Sequence, residues 1–484
     1  MQHRFRLQPV LLLLLLSVTA FAQSAPLASL QHLRDQLIAT NGLRDNDVVA
    51  LISQRALNDT AQRMAGLEIK LSNGVMMKIN SVALELKPAA AWVKLGVEVD
   101  PSSKLKSAKF RLVGKLGSGE IHGANLRLPF QLTDVAFGSE DAKSLSLLKV
   151  LLRDWLSPEK WNAVLPPLNI PLQLNPTINI PAAIFESNGD LPMTIATPAY
   201  QIKVRFWLAS FVVLEGRAVI ALSLQPPVEP IFASITPVDD DTETETSVSS
   251  TIAALTQHLA LNNDLRVRVR KSAMNDLLAK LAATREIDLT VKLKQGRLRA
   301  EEVDALIGKI FNYTDVESGD GQADVTRLSV ENISETRVFV RLTGQGELNV
   351  KVKGREYGVP YNLSPRGRFS INNELLPLQI LSRNDRIVVR AVSGAAVSVQ
   401  VNMAVDVIGH PIGLTRTVNL RADEWLKDLE LPALLTQEMQ LPRNVALGKN
   451  NELTVFRSEL SRYTLSNLRV ETKDEALEIL ADIR

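Results

Sequence analysis

The chain contains no cysteine. That excludes disulfide staples, thiolate metal sites and a lipid attached to a cysteine at a cleavage site. Aromatic residues make up only 5% of the sequence, which weighs against a platform for stacking sugars. Histidine is scarce as well: beyond His3, the residues His32, His122, His258 and His410 stand too far apart for metal-ligand spacing. His410, in Gly409-His410-Pro411, reads as a turn residue. No G-x-S-x-G elbow, H-E-x-x-H helix or Walker loop occurs. Gly114 to Gly119 is glycine-rich but lies between strands with no helix after it, so a hairpin turn is expected there. Carboxylates such as Glu301 and Glu302, or Asp320 and Asp324, would need to converge in space to act as an acid/base pair. The expectation is a binding protein with no cofactor, no metal and no catalytic residue. Charge of one sign is missing too, with 55 basic against 53 acidic side chains. Such balance argues against a nucleic-acid partner, whose phosphates call for clustered Lys and Arg.

What is present begins with a leader. Arg4 and Arg6 precede an apolar run from Val10 to Leu16 and a small-residue end, Ala20-Phe21-Ala22, the layout of a secretory signal peptide over residues 1–22. The run is about half the roughly 20 residues a spanning helix needs, so cleavage near Ala22 is expected, with a periplasmic or secreted product.

An internal repeat organises the rest. Ala56-Leu57-Asn58-Asp59 matches Ala273-Met274-Asn275-Asp276 at an offset of 217, and LEIKLSNG at 67–74 aligns with LTVKLKQG at 289–296. Duplication of a whole domain accounts for this better than a short solenoid repeat. Each copy opens with an amphipathic helix, since Met274, Leu277, Leu278 and Leu281 fall at i, i+3, i+4 and i+7, with Leu57, Ala61 and Met64 spaced alike. The period then becomes two. In SVQVNMAVDV at 398–407, Val399, Val401, Met403, Val405 and Val407 share one face. Segments around Ile202 to Leu214 and Arg217 to Leu224 flank Glu215-Gly216 as a hairpin. Further helices are predicted at 27–39, 144–156, 248–261 and 473–481, while 165–198 and 234–251 read as irregular. The fold class expected is α+β, β-dominated: two tandem modules, 27–235 and 252–484, joined by an acidic linker at 236–251. Each would be a curved antiparallel sheet on a helix. Asp239-Asp240-Asp241 in the linker lacks the pattern of a calcium loop.

The order of leader, Ala-Leu/Met-Asn-Asp helix, LxxKLxxG strand and long amphipathic strands, occurring twice, resembles the tubular lipid-binding (TULIP) superfamily. Its bacterial periplasmic members and the bactericidal/permeability-increasing proteins are familiar branches. The resemblance implies a curved sheet wrapped on a helix around a lipid-accommodating channel, often in tandem, with no catalytic motif. A disulfide found in some members has no counterpart here. Leu57, Met64, Phe206, Val212, Leu214, Met274, Leu277, Leu278 and Leu281 are then candidates to line a channel, or else ordinary core. Arg266, Arg268 and Arg270 alternate with Leu265, Val267 and Val269, and Lys292 and Lys294 project similarly, as a basic face for head groups or a membrane surface. The bland reading of that face is solvation that resists edge aggregation. The function expected is carriage of lipid or another long apolar ligand in the cell envelope. The alternative is an envelope scaffold with dry sheets, recruiting an unspecified protein partner through sheet edges.

Overall fold

The computed structural model describes residues 27–62, 65, 68–70, 76–99, 108–116, 120–128, 130–138, 168–175, 177–180, 182–187, 191–226, 244–283, 288–305, 308–384, 386–407, 409–425, 429–430, 437–439, 444–446, 452–455, 461–463 and 465–483. The leader, the expected helix at 144–156, Met64, residues 117–119 of the glycine-rich turn and Asp239-Asp240-Asp241 lie outside these residues. Among those described, strands dominate and helices are few, in large curved antiparallel sheets. No helix described is long and apolar enough to cross a membrane, a statement that does not extend to strands.

The long strands follow from alternation. Arg337–Glu356 and Ala396–Val407 bury nearly every second residue, so one face packs while the other meets water. The central seven-stranded sheet runs in the order Gln173–Leu174, Phe206–Leu214, Arg217–Ser223, Val48–Ser53, Leu265–Arg270, Ala476–Ile483 and Leu465–Lys473. Its middle pair is symmetric. Val48 faces Val269, Ala50 faces Val267 and Ile52 faces Leu265, so an approximate dyad passes between Ala50 and Val267. The flanking registers agree: Val48 pairs with Leu222 and Ser53 with Arg217, as Leu265 pairs with Ala481 and Arg270 with Ala476. Hydrogen bonds repeat the pattern. Asp47 accepts the Leu224 N–H at 2.8 Å and Asp264 accepts the Ile483 N–H at 3.2 Å. The Ser53 N–H reaches the Asp264 carbonyl, and the Arg270 N–H the Asp47 carbonyl.

On either side of this sheet, a helix continues directly from the central strand: Gln54–Gln62 after Val48–Ser53, and Lys271–Ala283 after Leu265–Arg270. The repeated asparagine explains the repeated motif. Asn58 receives the N–H of Leu84 and donates to its carbonyl, and Asn275 does the same to Val330, so each helix is pinned to one residue of a strand. Pairing crosses between the halves in sequence. The hairpin Ala183–Ser187 and Met193–Thr197 joins the second sheet through Asp288–Leu293, while Glu452–Val455 joins the first through Glu68–Lys70. The second sheet curls until Ala183–Ser187 and Gly296–Ala305 touch His410–Arg421. Bulges along Gly308–Ser334 at Val316/Ser318, Val325/Arg327 and Val330/Asn332 provide local bends.

Three expectations are corrected. Residues 473–481 are not helical: Ala476–Ile483 is a strand, its ladder to Leu265–Arg270 satisfying the backbone after a turn at Asp474-Glu475. Much of 165–198 is in strands, with Pro171 ending one of them and Pro192 and Pro198 flanking Met193–Thr197. Helix Glu245–Thr256 begins inside the stretch read as linker, because the Thr244 hydroxyl caps the Ser247 N–H at 3.3 Å and Val248 and Ile252 supply a buried face.

Candidate functional site

Helix Lys271–Ala283 lies between the central sheet and the second curved sheet, and three groups of apolar side chains meet along it. Ala273 and Leu277 face Val204, Leu224, Val269 and Phe206. Met274 and Leu278 pack toward Val330, Val338 and Val340, beside Leu328, Leu378 and Ile380. Leu281 enters the large interior of the curled sheet with Val291, Leu348, Phe369 and Val401. Ala273 and Leu281 are buried, whereas Met274, Leu277 and Leu278 between them are only half-buried, as are Phe206, Leu328, Leu378 and Ile380. The result is an apolar seam between helix and sheet that its own residues do not close. Apolar walls of this kind hold apolar ligands by excluding water, with polar groups setting orientation at the ends.

The seam gathers Phe206, Met274, Leu277, Leu278 and Leu281. Other sequence candidates go elsewhere. Val212 and Leu214 belong to a separate, dry core with Leu33, Leu37, Leu51 and Ile252, under the helices Leu27–Ala39 and Glu245–Thr256. Leu57 is fully buried on its own helix in the first half.

The basic strip is corrected. Arg266 and Arg268 are buried, because their alternation places them on the same face as Leu51 and Val49, which the helices cover. Arg266 donates to both carboxylate oxygens of Glu478 and to the carbonyls of His258 and Ala260. Arg268 lies 4.0 Å from the same carboxylate. Burial pushes the Arg268 guanidinium below its ordinary value, with Glu478 opposing. Nearby, burial and then the charges of Arg44, Arg268 and Arg266 lower His258 to about 4, so its ring is neutral. Among the described residues, the ring's hydrogen-bonding contact is with the Gly42 backbone, which acts against the lowering, and neither nitrogen makes a well-formed hydrogen bond. Arg270 is half-buried and donates to the Asp45 carbonyl at 2.7 Å. Lys292 and Lys294 are exposed, but on the second sheet, where Lys294 meets Glu186 at 3.1 Å. The five cations therefore form no common surface.

Sequence reasoning missed Glu478, the anion that makes Arg266 and Arg268 tolerable in the interior. The helical spacing of Ala476, Leu477, Leu480 and Ala481 concealed a strand. The signal available was Asp474-Glu475, which occupies the place of the Glu215-Gly216 turn. A groove of about 960 Å³ was also missed. It lies on the wet face of the second sheet and is lined by Lys292, Asp320, Gln322, Glu347, Arg368 and Asn402 among others. It is mostly polar and faces away from the seam, since Val291, Leu348 and Val401 alternate with its lining residues, and Phe369 is the one large apolar residue that touches it. Among the described residues, no group of three or more His, Asp or Glu could hold a metal ion.

No family model and no curated protein matches this sequence. Two solved structures are similar along most of the chain. The structure of P47 from Clostridium botulinum A2 is 9% identical, covers 92% of this chain and 98% of its own, and superposes with a TM-score of 0.26. A lipopolysaccharide binding protein is 12% identical, with 91% and 99% covered and a TM-score of 0.22. Likeness at this level adds nothing to the geometry above.

Proposed function

We propose that the protein is an exported carrier that binds a lipid or another long apolar ligand along the helix Lys271–Ala283 and performs no reaction on it. The half-buried Met274 and Leu278, facing the half-buried Leu328, Leu378 and Ile380 across the seam, with the half-buried Leu277 beside Phe206, carry this reading. A helix face turned toward a sheet normally loses its apolar surface to water completely, at about 25 cal/mol for each Å² buried. Here the middle of the face stays open although both ends are buried, which leaves apolar surface for an acyl chain to cover. The leader, cleaved near Ala22, would deliver the protein to the periplasm or beyond.

The test is native mass spectrometry of the gently purified mature protein, followed by solvent extraction of whatever it carries. Acyl lipid at a defined stoichiometry is expected, and its loss is expected in Leu278→Asp, with folding checked by circular dichroism. A bare protein that takes up no lipid when offered it would instead favour a scaffold acting through its sheet edges.

A further inference from the structure

Three of the six large apolar side chains exposed among the described residues lie at one end of the second sheet: Phe311 at 51% and Tyr357 at 61%, and Val359 at 39%, which pairs with the buried Glu356 on the other face. Strand Arg337–Glu356 there turns into Val359–Leu363 through Tyr357-Gly358. Carrying the register of Tyr313 and Arg355 two residues further sets Phe311 opposite Tyr357 on the outer face. The turn itself does not ask for these residues. Tyr357 has φ +46° and Gly358 φ +87°, a conformation in which Asn or Asp is preferred at the first position, and Tyr357 is the one aromatic residue with positive φ among those described.

Beneath the turn lies a polar network that holds it in place. Asn312, fully buried, accepts the Tyr357 N–H at 2.9 Å and donates to Glu356 at 3.3 Å, and Arg299 reaches the same carboxylate at 3.3 Å. Gly354 leaves room for the Tyr361 ring, whose hydroxyl meets Thr314. Buried polar groups thus fix the backbone while the apolar side chains above them are left in water. Rigid presentation of exposed aromatics is what a binding surface requires and what a solvated turn does not.

We infer that this tip is a membrane-docking surface that enters the interfacial zone of a bilayer. The patch is far smaller than the 20–30 residues a side of a stable protein interface. Phe and Tyr are suited to the boundary between head groups and acyl chains. The rim is electrically mixed, with Lys309 and Arg355 beside Glu302 and Asp304, all exposed, and Lys309 meets Glu302 at 3.4 Å. Docking therefore proceeds by apolar insertion and not by attraction to anionic head groups. It goes beyond the carrier reading, because the tip is separate from the seam.

Flotation with phosphatidylcholine vesicles tests it, comparing the wild-type protein with Phe311→Ser/Tyr357→Asn, whose Asn-Gly turn suits the backbone. The wild type floats, equally with or without phosphatidylglycerol and in high salt, and the double variant partitions at least tenfold less. Tyr357→Trp emission shifts to the blue on adding vesicles. No flotation of the wild type, undiminished flotation of the double variant, or release by salt would each overturn the proposal. Uptake of dispersed lysophosphatidylcholine, below its micelle concentration, separates the two readings. A protein that floats but takes up none defeats the carrier alone, and one that takes it up without floating defeats the tip alone.

Discussion

The halves of the central sheet share backbone registers and differ in what they bury. In the first half, Val49 and Leu51 of one strand and Val219 of the next pack under the helices Leu27–Ala39 and Glu245–Thr256. At the matching positions of the second half stand Arg266, Arg268 and Glu478. The first set is dry, and the second is an ionic triad in a buried place, with side-chain exposures of 10%, 11% and 5%. Backbone symmetry therefore does not impose chemical symmetry. The same ladder accepts an apolar trio or two guanidiniums sharing one carboxylate, and the second half also carries the open seam and the exposed tip.

The largest effect expected from this contrast follows removal of the shared anion. Glu478→Ala leaves two buried guanidiniums without their carboxylate and should lower stability by about 3–5 kcal/mol in urea unfolding. Val219→Ala, its counterpart, should cost about 1–2 kcal/mol, from two methyl groups at ~0.8 kcal/mol each. Importing the first half's residues, as Arg266→Val/Arg268→Leu/Glu478→Val, should be neutral or stabilising by about 1–4 kcal/mol. Equal costs for Glu478→Ala and Val219→Ala would mean that water reaches the guanidiniums and that the two regions differ less than their burial indicates.

A smaller effect should be the same in both halves. Asn58→Ala and Asn275→Ala each strip a backbone N–H and carbonyl of their partner, at Leu84 and Val330, and each should cost about 1–3 kcal/mol. A large difference between the two would show that the pins, too, have diverged.

Those pins were legible as a pattern before their role was. The Ala-Leu/Met-Asn-Asp repeat, the helix Leu27–Ala39 and the strand over 398–407 could all be read from spacing, because burial on one face enforces a period of 3.6 or 2. The 217-residue offset that aligns Asn58 with Asn275 also aligns the two central strands. Alternation could place Arg266 and Arg268 on one face of a strand, but it could not say which face the helices cover. That depends on Val49 and Leu51, more than 200 residues away. Of the candidate channel residues, those on helix Lys271–Ala283 converge because a single helix holds them, while Val212 and Leu214 depart because their hairpin packs on a different layer. The tip was hidden for a related reason: Phe311 and Tyr357 become neighbours only through the register of a 27-residue strand.

The smallest effect expected at neutral pH is at His258, and its pH dependence isolates the second half's excess of positive charge. His258 falls from 6.5 to about 4 because burial, then Arg44, Arg268 and Arg266, disfavour its protonated form. The unfolded chain therefore binds a proton between about 6.5 and about 4 that the folded chain refuses, so stability falls as the pH is lowered through that window. Asp264 acts lower. Burial alone would raise its carboxyl, but Arg55, Ser53 and the Ile483 N–H hold it below the ordinary aspartate range, so its contribution is full above ~3.9 and is lost as pH falls further. His258→Leu should leave stability at neutral pH nearly unchanged, since the neutral ring gives up no more than a weak contact with the Gly42 backbone. It should flatten the decline in melting temperature across the upper window while the acid limb set by Asp264 remains. Persistence of the full upper decline in that variant would move the proton to another group and dissociate His258 from the arginine cluster.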